Sequence, residues 1–185
     1  MDVTHTEYSI EQASEPSLVS DVAVSYNKTA YENDYVTDYE IDRQKPMPSK
    51  LHARVQGNIY FEIRKSYHNY DVYPELTFEL LGKKAVPDLS LLHVETVDYI
   101  QDEIKVTTVP LLVVEILSPR QNIEEIKEKI KDIYLPAGLK SIWMVIPPLK
   151  TVSLVLPNGQ FQTITEGVVK DLYLDVQLNM SDIFK

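Results

Sequence analysis

Cysteine is absent from the 185 residues of the chain. Its absence excludes disulfides and thiolate metal ligands and makes a reducing compartment the simplest expectation. Glycine is almost as sparse, with five in all, and no Gly-rich phosphate loop is present. There is no Ser/His nucleophile elbow and no internal repeat. No stretch approaches the ~20 apolar residues needed to cross a bilayer. The opening M-D-V-T-H-T-E does not show the basic-then-apolar order of a secretory signal. The expectation is a soluble cytoplasmic protein without a membrane partner, long enough to bury a sizeable core in one domain. Bases are also in deficit, 18 against 28 acids, for a net charge of -10. The deficit is local: Met1 to Asp42 holds ten acids and one base, Lys28, which leaves the remainder at -1. The objection that an acidic chain raises to nucleic-acid binding therefore falls on the first segment and barely on the rest.

The most informative stretch is Val109 to Pro119, V-P-L-L-V-V-E-I-L-S-P. An apolar run of this length, opened by Pro110 and closed by Ser118-Pro119, reads as a strand buried on both faces. Alternation puts Leu111, Val113, Glu115 and Leu117 on one face and Leu112, Val114 and Ile116 on the other. Glu115 is a residue seldom buried without a partner. It reads either as a structural glutamate bonded to an amide or an arginine, or as half of a functional pair with Asp88. Two carboxylates brought together repel unless metal or protons intervene, so Asp88 weighs against the structural reading.

Residues 1–38 are rich in Ser, Thr, acids and Tyr, without a sustained period. They read as an acidic N-terminal extension with a short helix near Ser17–Tyr26, and Tyr26, Tyr31, Tyr35 and Tyr39 are available for packing. Residues 39–185 read as a single domain. Lys45-Pro46-Met47-Pro48 is a turn signal. Leu51, Val55, Ile59 and Ile63 predict an amphipathic helix over Lys50–Lys65, with His52 on its first turn as a packed or capping side chain. Tyr70–Leu81 and Ala85–Val94 predict one hairpin turning at Gly82-Lys83-Lys84, the returning strand carrying Asp88. Glu95–Lys105 is charged and loop-like. Ile123, Ile126, Ile130 and Ile133 give a helical stripe behind an Asn122 N-cap, ended by Leu135-Pro136-Ala137-Gly138. Ser141–Ile146 is a strand with Trp143, and a hairpin turns at Pro157-Asn158-Gly159. Of the helix lysines, Lys127 and Lys129 flank the stripe on opposite edges and Lys131 points further out.

Certain motifs recur in a familiar order: Y-E-I-D (39–42), M-P-S-x-L-H (47–52), P-E-L-T (74–77), G-K-x-x-x-P-D (82–88), P-L-L-V-V-E-I-L-S-P (110–119), E-K (128–129) and Y-x-x-A-G-x-K-S-x-W (134–143). In order and spacing the chain resembles the Uma-type family of putative restriction endonucleases, common in cyanobacteria, within the PD-(D/E)XK nuclease superfamily. The resemblance implies an α/β (α+β) fold with a restriction-endonuclease-like core, a central mixed β-sheet flanked by helices. It implies Asp88 and Glu115 as ligands of Mg²⁺ (or Mn²⁺), with Glu40 as a further acid. The superfamily lysine position, two after the strand carboxylate, is Leu117, a departure the family shares, its lysine coming from the next helix. Counting forward from Ser118-Pro119 gives Lys129, whereas counting back from Tyr134 gives Ile130, a one-residue shift. Lys129 is the catalytic lysine of choice, with Lys127 and Lys131 as alternatives. The function implied is metal-dependent hydrolysis of DNA phosphodiesters by an activated water, in a homodimer, because paired cuts need two sites. The alternative is a catalytically inactive module on the same fold, binding protein or nucleic acid, which Leu117 and the weak basicity favour.

Overall fold

The computed structural model describes residues 38–43, 45–96, 98–100 and 103–185, without the side chains of Tyr39 and Asp42. The helix expected near Ser17–Tyr26, and Tyr26, Tyr31 and Tyr35, lie outside the described residues.

A short helix α1 (Asp38–Arg43) leads through the Lys45–Pro48 turn into α2 (Lys50–Ser66). Ser49 caps α2 by accepting the His52 amide at 3.1 Å. Its inward face is His52, Val55, Ile59, Glu62 and Ile63; Leu51, expected on that stripe, is exposed, and His52 takes the first-turn position instead.

The predicted long hairpin is divided. β1 (Tyr70–Pro74) pairs antiparallel with β4 (Leu89–His93), while β2 (Phe78–Leu80) and β3 (Lys83–Ala85) form a separate ladder. Pro74 and Pro87 lack the amides that a continuous ladder needs, and Glu75 at φ 56 turns the chain between β1 and β2. The tight turn is Leu81-Gly82, both at positive φ, and not Gly82-Lys83-Lys84; Lys83 and Lys84 belong to the returning strand.

β5 (Leu112–Ile116) is buried at every position, as its composition predicts. It is antiparallel to β4 and parallel to β6 (Ser141–Ile146). A parallel pair requires a crossover, and α3 (Ile123–Lys129) with its continuation to Tyr134 provides it. Asn122 caps α3 through its side chain, as expected. β7 (Thr151–Val155) and β8 (Phe161–Ile164) complete a six-stranded sheet in the order β1-β4-β5-β6-β7-β8. With one parallel pair among antiparallel ones, this is a central mixed sheet.

The alternation of β5 divides the apolar side chains between two cores. Leu112, Val114 and Ile116 join Val55, Ile59 and Ile63 of α2 on one face. Val113 joins Ile126, Ile130 and Tyr134 on the other, where the β2–β3 hairpin adds Phe78 and Leu80. The C-terminal stretch, β9 (Val168–Lys170), β10 (Gln177–Asn179) and α4 (Met180–Ile183), packs on the α2 side. Buried Asp171 fixes it there, accepting from Ser141 Oγ at 2.7 Å and Trp143 Nε1 at 2.8 Å.

Candidate metal centre

β4 and β5 separate at one point, and the charged residues gather there. The Asp88 amide makes the last ladder bond, to the Val114 carbonyl at 3.1 Å. Pro87 has no amide to continue it, and the Asp88 side chain takes over, its Oδ2 accepting from the Ile116 amide at 2.6 Å. Oδ2 is thereby fixed, and Oδ1 is turned toward Lys45 Nζ at 2.5 Å and His52 Nε2 at 3.1 Å.

Glu115 is built the same way. Its Oε1 accepts from the Tyr134 hydroxyl at 2.5 Å and from Lys129 Nζ at 3.0 Å. Its Oε2 is buried with no hydrogen-bond partner, 4.0 Å from Lys45 Nζ. Asp88 and Glu115 are each 1% exposed, so both carboxylates depend on these partners for what water would otherwise supply.

Lys129 reaches Glu115 across an irregular turn. Ile130–Tyr134 is a π-helical turn, closed by the Leu135 amide on the Ile130 carbonyl at 2.9 Å. At about 3.6 residues per turn, positions five apart lie ~140° apart around the axis. A turn with one more residue brings both to one face. Lys127 pairs with Glu124 at the surface and Lys131 is exposed.

Four residues join the cluster that were not read as site residues from the sequence. Glu75 lies across from Asp88, its amide donating to the Asp88 carbonyl at 3.3 Å in continuation of the β1–β4 ladder. Arg43 holds its Oε2, with Nε at 2.7 Å. His52, read as a packed side chain, bonds Ser118 Oγ through Nδ1 at 2.9 Å. Its Nε2 is buried without an aligned hydrogen bond although Asp88 Oδ1 is close. Lys45, read only as part of a turn, is buried among the acids. The signals were Pro74-Glu75 against Pro87-Asp88 in a hairpin, and M-P-S-x-L-H opening a helix. Glu40 is buried and stands a step back, its Oε1 accepting the Met47 amide at 2.9 Å and so holding the loop that carries Lys45.

The electrostatics follow from burial against charge. Burial alone would raise the Asp88 pKa, but the Lys45 ammonium and the His52 imidazole outweigh it and hold the carboxyl well below the usual range. For Lys45, burial acts to lower the pKa, and the facing Asp88, Glu115 and Glu75 reverse this and raise it. Burial and the Glu115 carboxylate push the Tyr134 hydroxyl well up, so it stays a donor.

The residues present fit a divalent cation. Ligand atoms of His52, Glu75 and Asp88 all lie within 4.8 Å of one another; Glu115 is not in that group, and its orphaned Oε2 lies 4.0 Å from Lys45 Nζ, which faces Asp88. The His52 tautomer is set by its partners: a proton on Nε2 faces Asp88 Oδ1, whereas a proton on Nδ1, donated to Ser118, leaves the Nε2 lone pair for an ion. Carboxylates suit Mg²⁺ and Mn²⁺, and the imidazole favours Mn²⁺ of the two.

No curated protein matches the chain. Among solved structures it is similar to the crystal structure of "a putative nuclease belonging to DUF820" from Anabaena variabilis, with TM-score 0.64 and 21% identity over 75% of this chain and 83% of that one. At that identity the likeness speaks to the fold alone, a mixed sheet flanked by helices. A cryo-electron-microscopy structure of a DrdV–DNA complex aligns at TM-score 0.34 and 13% identity, over 72% of this chain and 12% of that one, too slight a likeness to carry weight. Residues 26–180 match the family model Uma2, described as "Putative restriction endonuclease". Over most of its length, then, the chain carries that family's pattern on a nuclease-like fold, and it belongs to the Uma2 family of putative restriction endonucleases.

Proposed function

We propose that the chain is a divalent-metal-dependent endonuclease that hydrolyses phosphodiester bonds in DNA. One observation carries the reading. Asp88 and Glu115 each have one oxygen tied by fixed donors and the other facing Lys45 Nζ, and ligand atoms of His52 and Glu75 lie within 4.8 Å of those of Asp88. A structural ion pair has no need of an orphaned buried carboxylate oxygen. Asp88 and Glu115 would hold the cation, joined by Glu75 or His52. Bound there, Mg²⁺ or Mn²⁺ supplies Lewis-acid polarisation of the phosphodiester and a water of lowered pKa. Lys129, the catalytic lysine of this reading, orients Glu115 and offers a positive charge to the developing phosphorane. Tyr134 holds Glu115 in place from the other side. Glu40 acts through the loop it fastens. A homodimer would set two such centres against the two strands of a duplex.

A second reading keeps the fold and drops the chemistry. Arg43, Lys45 and Lys129 already balance Glu75, Asp88 and Glu115, an arrangement that also suits an inactive binding module. Cleavage of supercoiled plasmid with Mn²⁺ or Mg²⁺ separates the two. The expected result is metal-dependent nicking that falls by on the order of 10²–10³ or more in Asp88→Ala and Glu115→Gln, with both variants still folded by melting. Metal-independent nicking, or full activity in both variants, would reject the assignment.

A further inference from the structure

We infer that the Lys45 ammonium occupies the cation position of this centre, so that divalent-metal binding is an exchange in which the ion displaces the chain's own lysine. The inference rests on the nuclease reading for the use of the carboxylates, and goes beyond it in saying how the ion gets in.

Three cations face the three acids, and they are not equivalent. Lys129 lies on Glu115 Oε1, the oxygen that Tyr134 also holds. Arg43 grips Glu75, and its nearest approach to Asp88 is 3.8 Å. Lys45 Nζ is 2.5 Å from Asp88 Oδ1, 3.8 Å from Glu75 Oε2 and 4.0 Å from Glu115 Oε2. Among the described residues it is thus the cation that meets the untied oxygen of both Asp88 and Glu115. Its contact with Asp88 is a short, charge-assisted hydrogen bond.

An ammonium and a divalent ion cannot share that place, because like charges this close in a buried cluster repel strongly. The stem of Lys45 gives it a way to leave. Four methylenes can swing the head without moving the backbone, which Glu40 fastens through the Met47 amide and the Lys45 amide through the Glu40 carbonyl. Two properties follow. Lys45 balances the buried acids before any metal arrives, so the protein folds without one. The apparent metal affinity is then lower than the ligand set alone would give, because each binding event must also break the ion pairs of Lys45 with the acids.

The test is calorimetric titration of Mn²⁺ into wild-type protein and Lys45→Met, a neutral side chain of similar length. The expected result is binding at least tenfold tighter in Lys45→Met, with a lower melting temperature without metal and a larger rise at saturating Mn²⁺. Equal or weaker affinity in Lys45→Met would overturn the exchange and leave the metal-dependent reading standing. No binding to either protein would overturn both. Should Lys45→Met fail to fold, the wild type answers alone. Acetylation by acetic anhydride, followed by peptide mass spectrometry with exposed Lys131 as reference, should rise at Lys45 when Mn²⁺ saturates. A Lys45 still protected with Mn²⁺ bound refutes the displacement.

Discussion

Asp88 and Glu115 arrive at the centre from strands that separate at a shared point, each with one oxygen committed to a backbone amide or to two side chains. That division makes the lysines around them unequal. Lys129 is almost buried and donates to Glu115, whereas Lys127 spans an exposed i,i+3 pair with Glu124 of the sort worth about 0.2–1 kcal/mol at most. Lys129→Ala should therefore lower turnover by on the order of 10² while changing Mn²⁺ affinity less, and Lys127→Ala should leave both near wild type. Single-turnover cleavage beside Mn²⁺ titration reads the two effects apart. A dead Lys127→Ala with a fully active Lys129→Ala would mean that the helix register is wrong. The two acids and Lys129 were legible in the sequence because a charge inside an apolar strand, or beside an apolar stripe, is visible locally. Lys45 was not. Lys45-Pro46 does form a turn, but its partner Asp88 lies 43 positions away, and no local pattern encodes that contact. His52 was equally hidden, since its amide role at the Ser49 cap says nothing of where its ring points.

The π-helical turn after α3 lets Lys129 and Tyr134, five positions apart, both reach Glu115. The stripe Ile123, Ile126, Ile130, Ile133 steps evenly by three and four, so it reads as regular helix and conceals the irregularity. Deleting exposed Lys131 should let the turn relax to α-helix, with Lys129 and Tyr134 four positions apart on one face. The shortened protein is expected to melt within a few degrees of wild type or above it and to bind Mn²⁺ equally well. A drop in melting temperature of more than about 5 °C, which means a loss of one kcal/mol or more at this size, would show that the π turn itself is needed. The divided hairpin has the opposite history. Alternation continues smoothly from Tyr70 to Leu81, so the sequence suggested one strand. The break comes from missing amides at Pro74 and Pro87 and a positive φ at Glu75, and that break brings Glu75 opposite Asp88.

Viewed from the sheet outward, the centre lies where β4 and β5 diverge, with α2 contributing His52 from one face and α3 contributing Lys129 from the other. The centre borders both apolar cores, through Ile116 on one side and Tyr134 on the other, and neutral substitutions of the acids remove no apolar side chain from either, so they should spare the fold. Charge explains why a binding surface was hard to find in the sequence. Beyond Asp42 the chain is nearly neutral, and three of its cations, Arg43, Lys45 and Lys129, face inward on carboxylates. A nuclease with so few bases left over would draw DNA less by a basic face than by the metal itself. Everything therefore turns on whether an ion binds between Asp88 and Glu115. A wild-type crystal soaked in Mn²⁺ and measured for anomalous scattering should show a peak roughly 2.0–2.6 Å from Asp88 Oδ1 and Glu115 Oε2, with Lys45 moved off Asp88. Peaks only at surface acids, with Lys45 still on Asp88 at a Mn²⁺ concentration well above any calorimetric dissociation constant, would contradict the account.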